Sequence, residues 1–331
     1  MAEQEVILKT NPAQPVPFSQ GAIEKVLADR YLIADTKKDG VQLNLVVDKL
    51  GWSRFLSRAG KYLPSIQYAT DDGPVFFEDL LKDDLCIYPE GFMLQAEIVT
   101  PGFPAEVTAG NLRRKSKALD LSTIEVHVFS VVPLATIESG EDHEVTHAVM
   151  KYHVEAMVGL LQKHVPQIKW VVMESLDVFT LEDLQELYEV RRTAGEEGLV
   201  LKDPNATWRR GKKVGQWKMK PDDTIDGKVV GLVWGTPGLA NEGKVIGFEV
   251  LLEDGTVVNA CGLTQAQKDE FTAAVVDWER LDKKTAGLHI MPKPYDGWAV
   301  EVAFMERYKD GSLRHPTFNR WRGISDPTTK E

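Results

Sequence analysis

The sequence predicts an α+β protein with two consecutive domains, a mixed first domain followed by a small β-barrel. Length is the first observation, because 331 residues suffice for about two domains of ordinary size. The second is a change of pattern near residue 223: helix and strand signals alternate before it, and short strand signals dominate after it. We therefore place the first domain at residues 1–223 and the second at 224–331.

Hydrophobic spacing predicts the first elements of the mixed domain. A short helix covers residues 18–30, and a strand at 31–34 runs into the turn Asp39-Gly40. The apolar run 43–47 is expected to pair with that strand across the turn. Two further strands follow, at 92–99 and 126–132.

Two longer helices complete this domain. The first is predicted at 144–163, and its histidines, including His147, are interpreted as ordinary surface residues. The second begins after its cap Thr180 and ends near Gly195.

The second domain carries mainly strand signals. They lie at 229–234, 245–252, 257–260 and 298–304, with a hairpin turn at 253–255 and one inserted helix at 265–281. About five short strands within a hundred residues indicate a small barrel, and the OB-fold is the natural candidate.

Composition excludes several classes of protein. Hydrophobic residues make up 43% and charged residues 27% of the chain, which is typical of globular proteins. Cys86 and Cys261 lack metal-binding spacing, which argues against a disulfide framework or a zinc site and fits a reducing cytosol. Since we find neither a signal-peptide pattern nor an apolar run of about 18 residues, we expect a cytoplasmic protein.

Lys37 stands one residue away from the Asp39-Gly40 pair. A lysine amine attacks phosphorus only when it is neutral, and its ordinary pKa is about 10.4. Nearby cations or burial would have to remove a proton before Lys37 could act as a nucleophile. Alone, the segment favours an ordinary exposed turn.

A basic stretch at 209–220 offers a second candidate function. It holds six basic residues and no acidic one, although the chain as a whole has a net charge of −11. Such a stretch, with Trp217 interleaved, is typical of a groove that tracks nucleic-acid phosphates. The charges alone fit a solvated loop equally well.

Five further segments, taken together with the segment around Lys37, form a series of motifs along the chain. In chain order they are Ser57-Arg58-Ala59-Gly60-Lys61, Gln95-Ala96-Glu97, Val128-Phe129-Ser130, Glu197-Gly198-Leu199-Val200-Leu201-Lys202 and Trp217-Lys218-Met219-Lys220. This series resembles the covalent nucleotidyltransferase superfamily, which comprises ATP-dependent DNA ligases, RNA ligases and mRNA capping enzymes. Segments 233–250 and 312–316 are similar to the ATP-dependent DNA ligases of short-tailed bacteriophages (podoviruses).

The resemblance implies a fold and an activity. The fold would be a nucleotidyltransferase (adenylation) domain with antiparallel sheets and flanking helices, followed by an OB-fold that binds DNA. The activity would be sealing of nicks in duplex DNA, with AMP passing from ATP to a lysine and then to the 5′-phosphate. ATP and Mg²⁺ (or Mn²⁺) would be required. The enzyme would be a monomeric phage protein of the host cytoplasm.

The resemblance also assigns roles to individual residues. Lys37 matches the nucleophile, and Glu97 and Glu197 match carboxylates that serve the metal. The residues expected at the nucleotide are Asp35, Thr36, Lys37, Arg58, Glu97, Phe129, Glu197, Lys202, Lys218 and Lys220. The residues expected at the DNA are Arg58, Lys61, Arg209, Arg210, Lys212, Lys213, Arg314 and Arg322.

Two departures from the family pattern leave alternatives open. Gln42 replaces an arginine, and Gln95-Ala96 replaces an Asp-Gly pair. Glutamine lacks the charge and the forked donors of arginine. A catalytically weakened homologue that binds nicks is therefore one alternative, and an RNA ligase or capping-type nucleotidyltransferase is another.

Overall fold

The computed structural model describes residues 5–67, 75–221, 223–284, 292–307, 311–323 and 325–330. Residue contacts divide the chain into two compact units. The first comprises the chain up to Leu184 together with Leu199–Lys218, and the second comprises Gln185–Gly198 together with the chain from Met219 onward.

The first unit is built on two five-stranded sheets. Its strands are β1 (Ala13–Pro17), β2 (Leu32–Lys37), β3 (Val41–Asp48), β4 (Ser53–Ser57), β5 (Gly91–Val99), β6 (Glu125–Pro133), β7 (His143–Thr146), β8 (Lys169–Val172), β9 (Ser175–Val178), β10 (Gly198–Lys202), β11 (Thr207–Trp208) and β12 (Gly211–Met219). One sheet has the order β1-β12-β10-β2-β9 and the other the order β4-β3-β5-β6-β8, while β7 pairs with β11.

Helices flank these sheets. They are α1 (Gln20–Leu27), α2 (Pro64–Gln67), α3 (Glu78–Leu81), α4 (Ala105–Leu112), α5 (Leu134–Ser139) and α6 (His147–His164), with a 3₁₀ turn at Leu121–Thr123. A further helix, α7 (Leu181–Thr193), begins in the first unit and belongs to the second unit from Gln185 onward. The first unit's core lies on the β3-β5-β6 sheet, where α6 contributes Met157 and Leu161, both fully buried. Burial of such apolar side chains is the main stabilising contribution to this sheet.

The expected pairing of β2 with β3 is wrong. β2 lies between β10 and β9 in one sheet, whereas β3 lies between β4 and β5 in the other. Both strands are buried along most of their length, so each needs a neighbour on either side to satisfy its backbone groups. The turn after Lys37 is therefore a crossing between two sheets.

Gly40 makes this crossing possible. A Cβ atom built on Gly40 would lie 2.4 Å from the carbonyl oxygen of Ile98 and 3.0 Å from Cγ of Glu97, both in β5. Only glycine permits such a close backbone approach. The turn that follows Lys37 is thus pressed against the strand that carries Glu97.

The two longer helices predicted from the sequence are confirmed with small shifts. α6 begins three residues later than expected, because 143–146 pair as β7 and the Thr146 hydroxyl accepts from the N–H of Val149. At α7, the Thr180 hydroxyl accepts from the N–H of Asp183 at 3.0 Å, and Gly195 adopts a φ of +87°. Both features are the expected cap and stop.

The second unit contains an antiparallel sheet with the order β15-β14-β13-β16-β19. Its elements are β13 (Asp223–Trp234), β14 (Val245–Leu252), β15 (Val257–Ala260), α8 (Gln265–Lys284), β16 (Ala299–Phe304), β17 (Glu306–Arg307), β18 (Leu313–Arg314) and β19 (Thr317–Trp321). The four predicted strands and the inserted helix are confirmed, whereas β17, β18 and β19 were not predicted. Aromatic rings fill its core, with Phe248 in contact with Phe271, Phe318 and Trp321.

No helix among the described residues is long and apolar enough to cross a membrane.

A methyl group at Gly40 should be much more costly than one at Gly21, where a Cβ atom meets nothing within 4 Å. We expect Gly40→Ala to lower the free energy of unfolding by about 1–3 kcal/mol, because the crossing must move away from Ile98. Gly21→Ala, within α1, should raise it by about 0.5–1 kcal/mol. Urea unfolding of both variants measures the difference. Equal effects would contradict the role given to the crossing.

Candidate active site

A pocket opens in the first unit beside the strand that ends at Lys37. Its apolar walls come from Ile33, Val128, Met150, Val154, Val172 and Met173. Its polar side chains are those of Asp35, His147, Lys151, Ser175 and Lys202, and Phe129 also lines it. An apolar pocket with a few convergent polar groups is the usual form of a small-molecule site.

Three of the residues predicted to bind nucleotide meet in this pocket. The Nζ atom of Lys202 lies 2.6 Å from Oδ2 of Asp35, and both side chains are 9% exposed. The same Nζ donates to the carbonyl oxygen of Phe129 at 3.4 Å and lies 5.7 Å from the centre of its ring. β2, β6 and β10 therefore bring Asp35, Phe129 and Lys202 together.

Thr36 and Lys37 follow Asp35 on β2. Thr36 is buried, and its backbone N–H donates to the carbonyl oxygen of Glu174 at 2.8 Å. Lys37 is half-buried, and so is Glu97 next to the crossing. The sheet thus fixes the backbone immediately before the predicted nucleophile.

His147 was not recognised from the sequence, and its interpretation as a surface residue is wrong. It begins α6, is 5% exposed and lines the pocket. Burial, and next the positive charge of Lys202, lower the pKa of His147 to about 3. Nothing in the sequence distinguished it from the other histidines except its place immediately after the helix cap Thr146.

The remaining lysines predicted at the nucleotide, Lys218 and Lys220, lie at the end of β12 and just after it. Lys218 is half-buried and alternates with the buried Trp217 and Met219, so it projects from the opposite face. In the second unit, Lys220 forms an ion pair with Glu197.

Five of the predicted DNA contacts lie at or near the surface of the first unit. Arg58 is exposed and Lys61 is half-buried, and both lie in the turn after β4. In this turn the N–H of Ser57 donates to the carbonyl oxygen of Lys61 at 2.8 Å. The other three, which are exposed, are Arg209, Lys212 and Lys213.

Arg210 has an internal role instead. Its guanidinium donates to the carbonyl oxygens of Thr10, Thr136, Ile137 and Glu141 at 2.6–2.9 Å. Two of these acceptors belong to α5, whose C-terminal carbonyls have no partner within the helix. The structure therefore gives Arg210 the role of a structural clamp and does not favour it as a DNA contact.

The two predicted DNA contacts of the second unit are also held internally. Arg314 is 9% exposed. Arg322 lies 3.1 Å from Oδ1 of Asp226 and 3.7 Å from Oε2 of Glu301. Neither geometry favours a phosphate contact.

The two departures from the family pattern also have structural roles. Buried Gln95 accepts from Nε1 of Trp208 at 2.8 Å and donates to the carbonyl oxygen of Ala13 at 3.2 Å. Gln42 donates to Oδ1 of Asn44 at 3.3 Å and is directly opposite Glu97 in the β3–β5 pair. Both glutamines therefore belong to hydrogen-bond networks that hold the sheet.

Among the described residues, no group of three or more His, Cys, Asp or Glu side chains is arranged to hold a metal ion. Magnesium needs fewer protein ligands, since it usually keeps several waters and binds one or two carboxylates together with substrate phosphates. Glu97 offers such a carboxylate in the first unit, whereas the carboxylate of Glu197 already holds Lys220.

Comparisons with known proteins cover nearly the whole chain. Residues 13–220 match the family model described as the ATP dependent DNA ligase domain, and residues 221–322 match the DNA ligase C-terminal domain. The chain is 41% identical to the DNA ligase of Escherichia phage T7, over 96% of this chain and 98% of that protein.

The chain belongs to the family of ATP-dependent DNA ligases.

Solved structures support the same assignment. The ATP-dependent DNA ligase of bacteriophage T7, in complex with ATP, superposes on this ligase with a TM-score of 0.85 and 42% identity, covering 95% of this chain and 99% of that one. Chlorella virus DNA ligase-adenylate has a TM-score of 0.55 at 19% identity, covering 97% and 100% of the two chains, which shows the shared fold alone.

Arg210 and Arg209 should respond differently to loss of charge. We expect Arg210→Gln to lower the free energy of unfolding of this ligase by about 2 kcal/mol, because four carbonyl oxygens lose a charged donor. Arg209→Gln should change it by less than about 0.5 kcal/mol, as is usual for an exposed site. Urea unfolding of both variants tests this. Equal destabilisation would contradict the clamp.

His147 should make the ligase less stable in acid. In the unfolded chain the imidazole of His147 is protonated near pH 6.5, whereas in the folded chain it is protonated only near pH 3. The free energy of unfolding should therefore fall as the pH falls through that window, by about 3 kcal/mol between pH 7 and pH 4 from this residue. The positive charge of Lys202 adds to the lowering of the His147 pKa, and the negative charge of Asp203 opposes it.

Unfolding in urea at several pH values measures this slope. His147→Gln, which does not titrate, should show a shallower loss of stability over the same range. An identical slope in both proteins would show that the His147 side chain is not buried in its neutral form.

Proposed function

We propose that this ligase seals nicks in duplex DNA through AMP bound covalently to Lys37. One observation carries the assignment: Asp35, Phe129 and Lys202 meet in a pocket on the strand that ends at Lys37. If a nucleotide base occupied that pocket, its phosphates would lie near the lysines of β2, β10 and β12, which are Lys37, Lys202 and Lys218. The family relationship supplies ATP as the nucleotide.

The first transfer would load the enzyme. Nζ of Lys37, after losing a proton, attacks the α-phosphorus of ATP, so that a P–N bond forms and the bond to the pyrophosphate oxygen breaks. Lys202 and Lys218 would neutralise charge that accumulates on the phosphate oxygens. Because an in-line displacement at phosphorus needs little covalent assistance, positioning and charge carry most of the catalysis.

The second and third transfers would use the loaded AMP. An oxygen of the 5′-phosphate at the nick attacks the AMP phosphorus, the P–N bond breaks, and the Lys37 amine takes up a proton. The 3′-hydroxyl then attacks the activated 5′-phosphorus, loses its proton and releases AMP. The backbone is thereby joined by a new phosphodiester bond.

The carboxylate of Glu97 fits a magnesium ion. This carboxylate is half-buried beside the crossing at Gly40, and Mg²⁺ prefers oxygen ligands. The ion would supply positive charge to the phosphates when it is bound. The assignment of Glu197 to the metal rests on the sequence pattern.

We propose that Arg58, Lys61, Arg209, Lys212 and Lys213 bind the phosphates of nicked DNA. Their exposure and positive charge on an acidic chain are what phosphate contacts require. We expect the ligase to act as a monomer in the cytoplasm of the host cell, during replication and repair of DNA. No observation favours a capping or RNA-joining activity over this one.

Loading with labelled ATP tests the proposed function. We expect wild type to take up acid-labile AMP and Lys37→Ala to take up none, because the amine is the only atom that forms the P–N bond. Lys38→Ala, the matched neighbour, should keep at least about half of the loading, since its side chain is not the nucleophile.

Two outcomes would contradict the proposal. Absence of label on the wild-type chain would leave a nick-binding protein without turnover. Label that enters from GTP and not from ATP would indicate a capping-type enzyme. A nicked duplex in the same assay reports whether the loaded AMP is used for sealing.

A further inference from the structure

Two of the residues that line the pocket of the first unit each carry a polar side-chain atom that makes no hydrogen bond within the described residues. Nε2 of His147 and Oγ of Ser175 are buried and have no hydrogen-bond partner among the described residues. A buried polar atom without a partner is destabilising, and native proteins leave few of them. Two such atoms in one pocket indicate a ligand that supplies the partners.

Separate elements bring these side chains to the pocket. His147 is followed on α6 by Met150, Lys151 and Val154, a spacing that places all four on one helix face. Ser175 is directly opposite Asp35 in the antiparallel β2–β9 pair, so these two side chains share one face of the sheet.

The backbone fixes His147 in this position. Its N–H donates to the carbonyl oxygen of Ala206 at 2.9 Å, and the N–H of Ala148 donates to that of Pro204 at 3.1 Å. The first turn of α6 is thereby tied to the segment that follows β10. The His147 side chain is also buried, so it has little rotamer freedom left to lose when a ligand binds.

The charge state of His147 decides which part of a nucleotide it can bind. Because burial and Lys202 keep its pKa near 3, the imidazole is neutral at physiological pH. A neutral imidazole does not neutralise a phosphate, but it can donate one N–H to a neutral heterocycle. The apolar side chains around it, among them Met150 and Val172, suit the faces of a flat ring. The base is therefore its partner, and the triphosphate is not.

We propose that His147 reads the adenine ring, with Nε2–H donating to a ring nitrogen of the base, and thereby contributes to nucleotide selection. This inference rests on the proposed function, which makes ATP the ligand. The ring nitrogens N1, N3 and N7 of adenine carry no hydrogen and can accept. A carboxylate such as Asp35 accepts only from the amino group, so the two side chains contact different atoms.

Binding of ATP analogues tests the contact directly. In 1-deaza-, 3-deaza- and 7-deaza-ATP, a C–H group replaces one ring nitrogen. Affinities are measured by calorimetry with the full chain carrying Lys37→Ala, so that no AMP is transferred. We expect one analogue to bind about tenfold more weakly than ATP, as the loss of one buried hydrogen bond implies.

Replacing His147 should abolish that difference. His147→Phe should bind ATP about tenfold more weakly and should bind ATP and the affected analogue equally, because the donor is gone. His147→Leu is a second apolar variant in case the phenylalanine disturbs folding, and His147→Gln, which keeps a donor, should restore part of the preference. Val154→Ala, in the apolar wall, should weaken all nucleotides together and keep the preference.

The outcomes separate this inference from the proposed function. A penalty for the analogue that persists in both apolar variants overturns the contact, and so does the absence of any penalty when His147 is present. Either result leaves the function standing if the wild-type chain still takes up AMP. If the wild-type chain takes up no label, the function fails, while the binding titration still decides the role of His147.

Discussion

The active site depends on one buried ion pair, between Asp35 and Lys202. β2 and β10 are neighbours in the sheet, and their side chains meet at 2.6 Å with little exposure to water. Two charges taken out of water are tolerated only when each compensates the other, so removal of either leaves a costly unpaired charge. The pair also holds Lys202 against Phe129, which places a cation and an aromatic ring on the same wall.

The path of the chain connects this local pair to Lys37 and Glu97. β2 runs from the pocket to Lys37 and then leaves its sheet, and Gly40 lets the crossing press against β5. Backbone packing within a single unit therefore positions Lys37, Glu97 and the pocket. Side chains placed on strands in this way are held more exactly than those on loops.

The sequence predicted which side chains lie together better than it predicted which strands pair. Motif order identified Asp35, Phe129 and Lys202, and the structure brings them together in one pocket. Periodicity located most helices and strands, because period and caps are local signals. It could not show that β2 and β3 belong to different sheets, since the choice of strand partner is decided by contacts far apart in the chain.

Roles that depend on burial were also beyond the sequence. Arg209 and Arg210 are adjacent and chemically identical, yet one is exposed and the other clamps four carbonyl oxygens. The sequence did not single out His147. Its Nε2 atom suggests a binding role only because the structure shows that the atom is buried without a partner and that the residue lines the pocket. Gln95 looked like a lost catalytic group, whereas in the structure it links Trp208 to Ala13.

A double-mutant cycle on Asp35 and Lys202 tests the central claim most directly. The free energy of unfolding is measured for wild type, Asp35→Asn, Lys202→Met and the double variant. If the pair sustains the site, each single variant should lose about 3 kcal/mol or more, and the double variant should lose at least about 2 kcal/mol less than the sum. Additive losses, within about 0.5 kcal/mol, would show that the two charges do not depend on each other.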